Sequence, residues 1–344
     1  MKAMVLAGGM STRLYPLTRQ VPKPLVPVAG EPNTAHVFRY LKSFGIDEIA
    51  INVHYLGGAI KERFGDGSEY GVRLHYLDEA VLMGSAGGVK QMEGLFDETF
   101  VVVGCDDLTD ANLNDLVAFH KARKALATIG LVEAEDVREY GVVILDGTGR
   151  IVEFQEKPAL GTERSHLVNT GIYVFEPAIF ERIPAGTFYD FGKNVFPALQ
   201  AENAAFYGLH LAGAYWRDIG TPGEYRAATS DVLTGRVHLL GEAQARGVAA
   251  DAIVAPDATL QGDVRVGART QVGSGVWIVG PSVIGDGVVI GAGASIVRSI
   301  VWDRATIGPG AELVDCIVGL DYDIAARERL DGAIVANSPE PVAT

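Results

Sequence analysis

The chain has 344 residues, 48% hydrophobic and 21% charged, an ordinary soluble globular composition and a length that favours two domains over a single core. Its formal net charge of −14 argues against an extended nucleic-acid interface, where basic residues would have to offset phosphate repulsion. The two cysteines, Cys105 and Cys316, imply no disulfide framework and point to a reducing cytoplasm. No apolar stretch reaches the roughly 18 residues of a membrane span, and the run Met1–Ala7 is too short for a signal peptide.

The first predicted strand is Lys2 to Ala7. It runs into Gly8-Gly9-Met10-Ser11-Thr12-Arg13-Leu14, and Pro22-Lys23-Pro24-Leu25 follows. Glycine N–H groups can approach phosphoryl oxygens because no Cβ intervenes, and Arg13 and Lys23 supply neutralising charge. The loop is neither a Walker loop nor a dinucleotide fingerprint. The plainer alternative is a glycine turn closing a buried strand.

Asn33 can cap a helix carrying Val37, Phe38, Tyr40 and Leu41 that stops at Gly45. A strand at Glu48–Val53, a helix through Ile60 to Phe64 and a strand at Val72–Tyr76 come next. Phe100–Gly104 is a fully apolar strand, Leu113–Arg123 a helix, and Ala127–Val132 a further strand. This alternation predicts an α/β fold: an open, mostly parallel, Rossmann-like sheet with helices on both faces and ligands beyond the carboxyl ends of its strands.

The pattern changes near residue 235. Val254, Leu260, Val266, Val272, Ile278, Ile284, Ile290 and Ile296 recur every six residues. Glycine follows the aliphatic at 267, 273, 285 and 291. The register slips by one and resumes at Val301, Ile307 and Leu313. Hexapeptide repeats with an inward aliphatic predict a left-handed parallel β-helix. The expected organisation is therefore a catalytic domain at 1–235, a linker at 236–250 and a β-helix domain at 251–344. The stretch from Asp321 is expected to start as a short helix and to end as a loose tail at Ser338-Pro339-Glu340-Pro341.

Several segments could carry chemistry. Asp106 and Asp107 follow the Val101–Gly104 run, where a Mg²⁺ facing phosphates would sit; a turn cap explains them equally. Asp218, in Trp216-Arg217-Asp218-Ile219-Gly220-Thr221-Pro222, offers a second metal acid or a turn hydrogen bond. Glu156 and Lys157 end another strand and suit sugar hydroxyls and a phosphate; Asn169 is a further hydroxyl partner. Met83-Gly84-Ser85-Ala86-Gly87-Gly88 is a second glycine loop suited to a flat base. Glu79, five residues before Gly84, either accepts from a base edge with two adjacent donors, as guanine has, or faces solvent. The seven histidines show no metal or nucleophile spacing, and none lies in 239–344, which argues against an acyltransferase site in the β-helix.

Taken together these motifs resemble the sugar-1-phosphate nucleotidylyltransferases, most closely mannose-1-phosphate guanylyltransferases with a left-handed β-helix tail. The resemblance covers the chain to about residue 320 and adds Phe154-Gln155-Glu156-Lys157-Pro158 and Asn169-Thr170-Gly171-Ile172-Tyr173 to the runs above. It implies Arg13 and Lys23 on the triphosphate, with Leu6, Ala7, Gly8, Gly9, Ser11, Thr12, Glu79, Gly84, Ser85 and Asp106 around the nucleotide. It implies Asp107, Gly141, Glu156, Lys157, Asn169 and Thr170 around the sugar phosphate, and Asp106 and Asp218 on Mg²⁺. Ser11 stands where the family usually has glycine. The implied reaction joins a nucleoside triphosphate to a hexose 1-phosphate, GTP with mannose 1-phosphate first. UTP or dTTP with glucose 1-phosphate, or a non-catalytic nucleotide-sugar sensor, are the alternatives. The expected partners are those two substrates and further copies of the chain through the β-helix, with neither nucleic acid nor membrane.

Overall fold

The computed structural model describes residues 1–239 and 246–337. The middle of the expected linker and the Ser338–Pro341 tail lie outside the described residues. The chain divides into two compact units: residues 1–10 with 37–218, and residues 11–36 with those from Ile219 onward.

The first unit is built on a nine-stranded sheet. In chain order its strands, and those of a small neighbouring pair, are β1 (Ala3–Leu6), β2 (Glu48–Val53), β3 (Arg73–Asp78), β4 (Phe100–Gly104), β5 (Asp107–Thr109), β6 (Ala127–Glu133), β7 (Gly141–Leu145), β8 (Ile151–Glu156), β9 (Leu167–Phe175), β10 (Phe206–His210) and β11 (Trp216–Asp218). The order β8-β7-β9-β4-β1-β2-β3 is parallel from β4 through β3, and β6 joins β9 to β10 off that path. Strand β9 runs antiparallel to β4, β6 and β7, so the Rossmann-like half continues into an antiparallel half. The separate ribbon pairs β5 with β11. Strands β1, β2 and β4 are almost wholly buried, as uninterrupted apolar runs in a covered parallel sheet should be. The helices are α1 (Asn33–Ser43), α2 (Gly57–Phe64), α3 (Gly84–Gln91), α4 (Leu113–Arg123), α5 (Phe196–Ala201) and α6 (Pro222–Thr234).

Aromatic side chains fill the core beneath the antiparallel half. Phe100 meets Phe175, and Phe175 stacks on Phe191 with ring centres 5.0 Å apart. Phe191 meets Phe196, which stacks on Phe206 at 5.2 Å. Each fully buried ring contributes about 1.5–3 kcal/mol, and the series fixes the segment just before α5. Asn169-Thr170-Gly171 lies inside β9 at a shift of register. Gly171 there has φ +80°, a conformation glycine takes without strain.

In the second unit, residues 247–335 form three parallel sheets of short strands, with the period-six aliphatics turned inward. This is a parallel β-helix. Val266 pairs with Ile284 eighteen residues on, whereas Ile284 pairs with Val301 seventeen on. The slip read in the sequence therefore recurs in every later coil, always at the same corner. Ser282, Ser299 and Cys316 stack there: Ser299 N–H donates to Ser282 Oγ at 3.1 Å and Cys316 N–H to Ser299 Oγ at 3.0 Å. The glycines have a steric reason. A Cβ on Gly267 would lie 2.5 Å from the Gly285 backbone, and one on Gly285 2.7 Å from the Asp303 nitrogen. The segment from Asp321 is not helical. It forms strands at Asp323–Ile324, Arg329–Asp331 and Ile334–Val335, pairing with the coil before it. Among the described residues no helix is long and apolar enough to cross a membrane.

Candidate active site

Strand β4 ends at Gly104, and the chain turns through Cys105, Asp106 and Asp107. Gly104 N–H donates to Asp107 Oδ2 at 2.9 Å. A Cβ on Gly104 would come within 2.6 Å of Asp106 Oδ1 and 2.8 Å of Asp107 Oδ2, so both carboxylates fold back over the strand end in space only glycine leaves. Asp218 lies directly across the β5–β11 ribbon from Asp107. Trp216, one turn of pleat earlier, donates its indole N–H to Asp107 Oδ1 at 3.0 Å. Burial pushes the Asp107 carboxyl well above its ordinary range, and the charges of Asp106 and Asp218 push it further. Three carboxylates thus converge beyond the carboxyl end of a central parallel strand, where ligands of open α/β sheets bind.

They line a cavity of about 310 Å³. Of the residues singled out in the sequence, Leu6, Ser85, Asp106, Asp107 and Asp218 border it, as do Gly141, Glu156, Lys157, Asn169 and Thr170. The β7–β8 hairpin brings Gly141 opposite Glu156. Glu156 Oε2 lies 3.3 Å from where a Gly141 Cβ would be and 3.1 Å from that of Gly192, so two glycines make room for this carboxylate. Burial raises the Glu156 carboxyl and Asp190 adds to it, while Lys157 and Lys193 oppose. Lys157 takes φ +45°, unusual for a residue with a side chain, and its N–H donates to Tyr140 O at 3.1 Å. The side chain is half exposed and lies 3.9 Å from Glu139. Asn169 donates to the Tyr173 hydroxyl at 3.0 Å and accepts from Gly171 N–H. The Thr170 hydroxyl is engaged in the bulge of β9, donating to Gly130 O and accepting from Ile172 N–H.

Tyr140 and Asp190 border the same cavity and were not singled out in the sequence. Asp190 accepts from Ser85 Oγ at 2.8 Å and from Lys193 N–H at 3.1 Å. Its one sequence signal is an acid set in the run Tyr189-Asp190-Phe191-Gly192. Tyr140 packs edge-on against Trp216 with ring centres 5.4 Å apart.

The remaining predicted residues fall elsewhere. Gly8 is buried and Gly9 exposed at the end of β1. Gly84 opens α3 at φ +77°, and a Cβ there would meet Tyr189 O at 2.5 Å. Glu79 is 5% exposed, and its oxygens accept from Asn52 Nδ2 at 2.5 Å and Met83 N–H at 3.1 Å. Ser11, Thr12, Arg13 and Lys23 belong to the second unit. Ser11 has φ +52°, the backbone a glycine would adopt freely. Arg13 is exposed within the turn Thr12–Leu14, and Lys23 is buried in the turn Lys23–Leu25.

The model of the nucleotidyl transferase family matches residues 2–235. A UTP--glucose-1-phosphate uridylyltransferase of Synechocystis is 38% identical, over 92% of this chain and 87% of its own length. A mannose-1-phosphate guanylyltransferase of Mycobacterium tuberculosis is 37% identical, over 86% of this chain and 83% of its own. A crystallised Bacillus anthracis protein assigned as a glucose-1-phosphate thymidylyltransferase, solved with sucrose bound, superposes with a TM-score of 0.63 at 25% identity, over 70% of this chain and 98% of that one. The acids gathered at the end of a parallel strand and the sequence likeness along most of the chain lead to one assignment: this chain belongs to the nucleotidyl transferase family.

Proposed function

We propose that the chain joins a nucleoside triphosphate to a hexose 1-phosphate, releasing pyrophosphate and a nucleoside diphosphate sugar. The observation that carries this reading is the single cavity in which Asp106 and Asp218 face Glu156, Lys157 and Asn169. The same cavity is bordered by acids for a metal and by groups for a phosphorylated sugar. A sugar-phosphate oxygen attacks the α-phosphorus, the α–β bridging bond breaks, and pyrophosphate leaves. That oxygen is already ionised near pH 7, so no general base is required, and positioning with charge neutralisation supplies the catalysis. Lys157 takes the sugar phosphate, Glu156 and Asn169 the hydroxyls. From the loop sequence, Arg13 and Lys23 are assigned to the triphosphate.

The acids suit a divalent cation: burial raises the Asp107 carboxyl first, and the repulsion from Asp106 and Asp218 that adds to it is what a bound cation relieves. Among the described residues no group of three His, Cys, Asp or Glu is arranged to hold an ion alone. Two carboxylates leave the other positions to phosphate oxygens and water, a set that Mg²⁺ accepts. Asp106 and Asp218 would hold it, and it would supply charge neutralisation at the phosphates.

GTP with mannose 1-phosphate is the pair we assign, after the Mycobacterium tuberculosis relative and the several mannose-1-phosphate guanylyltransferases of plants and frogs at 32–35% identity. UTP with glucose 1-phosphate is the second reading, favoured by the Synechocystis relative. Residues 1–235 would carry the reaction, 236–250 the connection, and 251–344 the β-helix. The cytoplasm, where both substrates are supplied, is the compartment this reading implies. The β-helix would join copies of the chain, its outer faces carrying exposed Ile253, Trp277 and Val289; gel filtration at the monomer mass would remove that part. Lys157→Ala is expected to raise KM for the hexose 1-phosphate about tenfold, from the loss of one charge-assisted hydrogen bond, with KM for the nucleotide unchanged. Steady-state kinetics varying each substrate in turn checks this, and an unchanged sugar-phosphate KM would take Lys157 out of the site.

A further inference from the structure

We propose that the second unit holds an anion site of its own, formed around Arg265 and Arg246, that takes a phosphate group, free or as a short monoester. A cavity of about 170 Å³ lies where the chain enters the β-helix. Arg246, Val248, Arg265, Ala268 and Asp286 are among the residues that border it. All of them belong to the second unit, as does the hairpin that pairs Pro27–Val28 with Glu31–Pro32. The nucleotidyl-transfer reading makes no use of this cavity.

Arg265 stands between Val264 and Val266, both turned into the β-helix core, so its side chain points outward. It is half-buried. Its Nε donates to Ala29 O at 2.7 Å. Its guanidinium lies against Gly30, at the turn of the hairpin with φ +86°: a Cβ there would come within 2.3 Å of Cζ and 2.4 Å of Nη2. These two contacts fix the direction of the fork. Among the described residues no carboxylate pairs with Arg265, and Nε is the only one of its nitrogens engaged in a hydrogen bond. Asp303 feels its charge without pairing with it. Arg246 is half exposed, and its Nη1 donates to Asp263 Oδ1 at 2.9 Å. Asp286, the acid on the lining, is already engaged: Oδ1 accepts from Ala268 N–H at 3.0 Å, and Oδ2 lies 3.6 Å from Arg269.

A guanidinium held by a backbone carbonyl and open at both Nη groups is prepared for two parallel N–H···O bonds to an oxyanion. The described lining sets two cations against one acid, on a chain of formal net charge −14. The second arginine favours a phosphate, with its higher charge, over a carboxylate. The cavity is smaller than the catalytic one of about 310 Å³, with room for a phosphate group and a short chain rather than a nucleotide.

The test is calorimetric titration of the full chain with inorganic phosphate and with glycerol 3-phosphate, alongside thermal melting. Four chains are compared: wild type, Arg265→Gln, Arg246→Gln and, for the catalytic cavity, Lys157→Ala. Each arginine variant is expected to weaken phosphate binding about tenfold, the loss of one charge-assisted hydrogen bond, and Lys157→Ala to leave this site's affinity unchanged. Arg246→Gln alters a half-exposed side chain and provides the test should Arg265→Gln fail to fold. Binding of both ligands supports a monoester site, and binding of inorganic phosphate alone supports a site for the free ion. Unchanged affinity in the folded arginine variants would overturn the proposal. So would a loss confined to Lys157→Ala, which would put the anion in the catalytic cavity, or a wild-type chain that binds neither ligand. The titration needs no turnover, so a chain inactive with every nucleotide would sink the nucleotidyl-transfer reading and leave this site standing.

Discussion

Asp106→Asn is expected to lower kcat by about a thousandfold while leaving the fold intact. The size follows from the several kcal/mol of transition-state charge stabilisation that a bound metal provides, at about 1.4 kcal/mol per factor of ten. Asparagine keeps the shape of the side chain beside Gly104 and removes its negative charge. The direction of the stability change is also defined. Asp106 is one of two neighbouring charges that raise the Asp107 carboxyl, so removing it relieves repulsion in the folded state. Tm should hold or rise as activity falls. Steady-state kinetics across a Mg²⁺ titration, paired with thermal melting, separates the two effects. A fully active variant with its Mg²⁺ requirement unchanged would take Asp106 out of the site. A large drop in Tm would make it a structural residue.

The second large effect concerns stability. Tyr225 of α6 is completely buried in the second unit. Its hydroxyl donates to Pro27 O at 2.6 Å and accepts from Trp302 Nε1 at 2.9 Å. The two rings meet edge-on with centres 6.4 Å apart. One side chain therefore fastens the Pro27 segment, α6 and a turn of the β-helix together. Tyr225→Ala is expected to cost about 3–5 kcal/mol, the range for deleting a large aromatic from a core, because it leaves a cavity and unpairs the buried Trp302 N–H. Tyr225→Phe removes only the hydroxyl and is expected to cost about 1–2 kcal/mol. Urea unfolding of both variants gives the ratio. Equal small losses would show that the ring is not the fastening element.

Local pattern made much of this fold legible. Glu48–Val53, Phe100–Gly104 and Leu113–Arg123 were expected within the bounds observed, because apolar runs and helical periodicity there agree with the packing. The β-helix was legible from its period, since each inward aliphatic has to recur at the same corner of the coil. The last coil was not. Ala325-Ala326-Arg327-Glu328-Arg329 has strong helix-forming character, yet its neighbours pair with the preceding coil, and tertiary pairing overrides local preference.

The site divides the same way. Asp106 and Asp107 were found because acids at a strand's carboxyl end carry a local signal. Asp190 and Tyr140 gave none of that strength. Asp190 reaches the cavity because the next residue, Phe191, is stacked into the aromatic core. Tyr140 reaches it because its carbonyl holds Lys157. Both placements depend on partners distant in sequence. Glu79 shows the converse: its position could be read, but its buried hydrogen bonds to Asn52 and Met83 could not.

The most direct test of the account is product formation by the purified chain with Mg²⁺, crossing GTP, UTP, dTTP, ATP and CTP against mannose and glucose 1-phosphates and measuring pyrophosphate and nucleotide sugar together. Equimolar release of both products is expected, fastest with GTP and mannose 1-phosphate. Fastest release with UTP and glucose 1-phosphate would keep the reaction and exchange the pair. A folded chain that binds nucleotide yet forms neither product in any combination would contradict the account and leave a nucleotide-sugar sensor in its place.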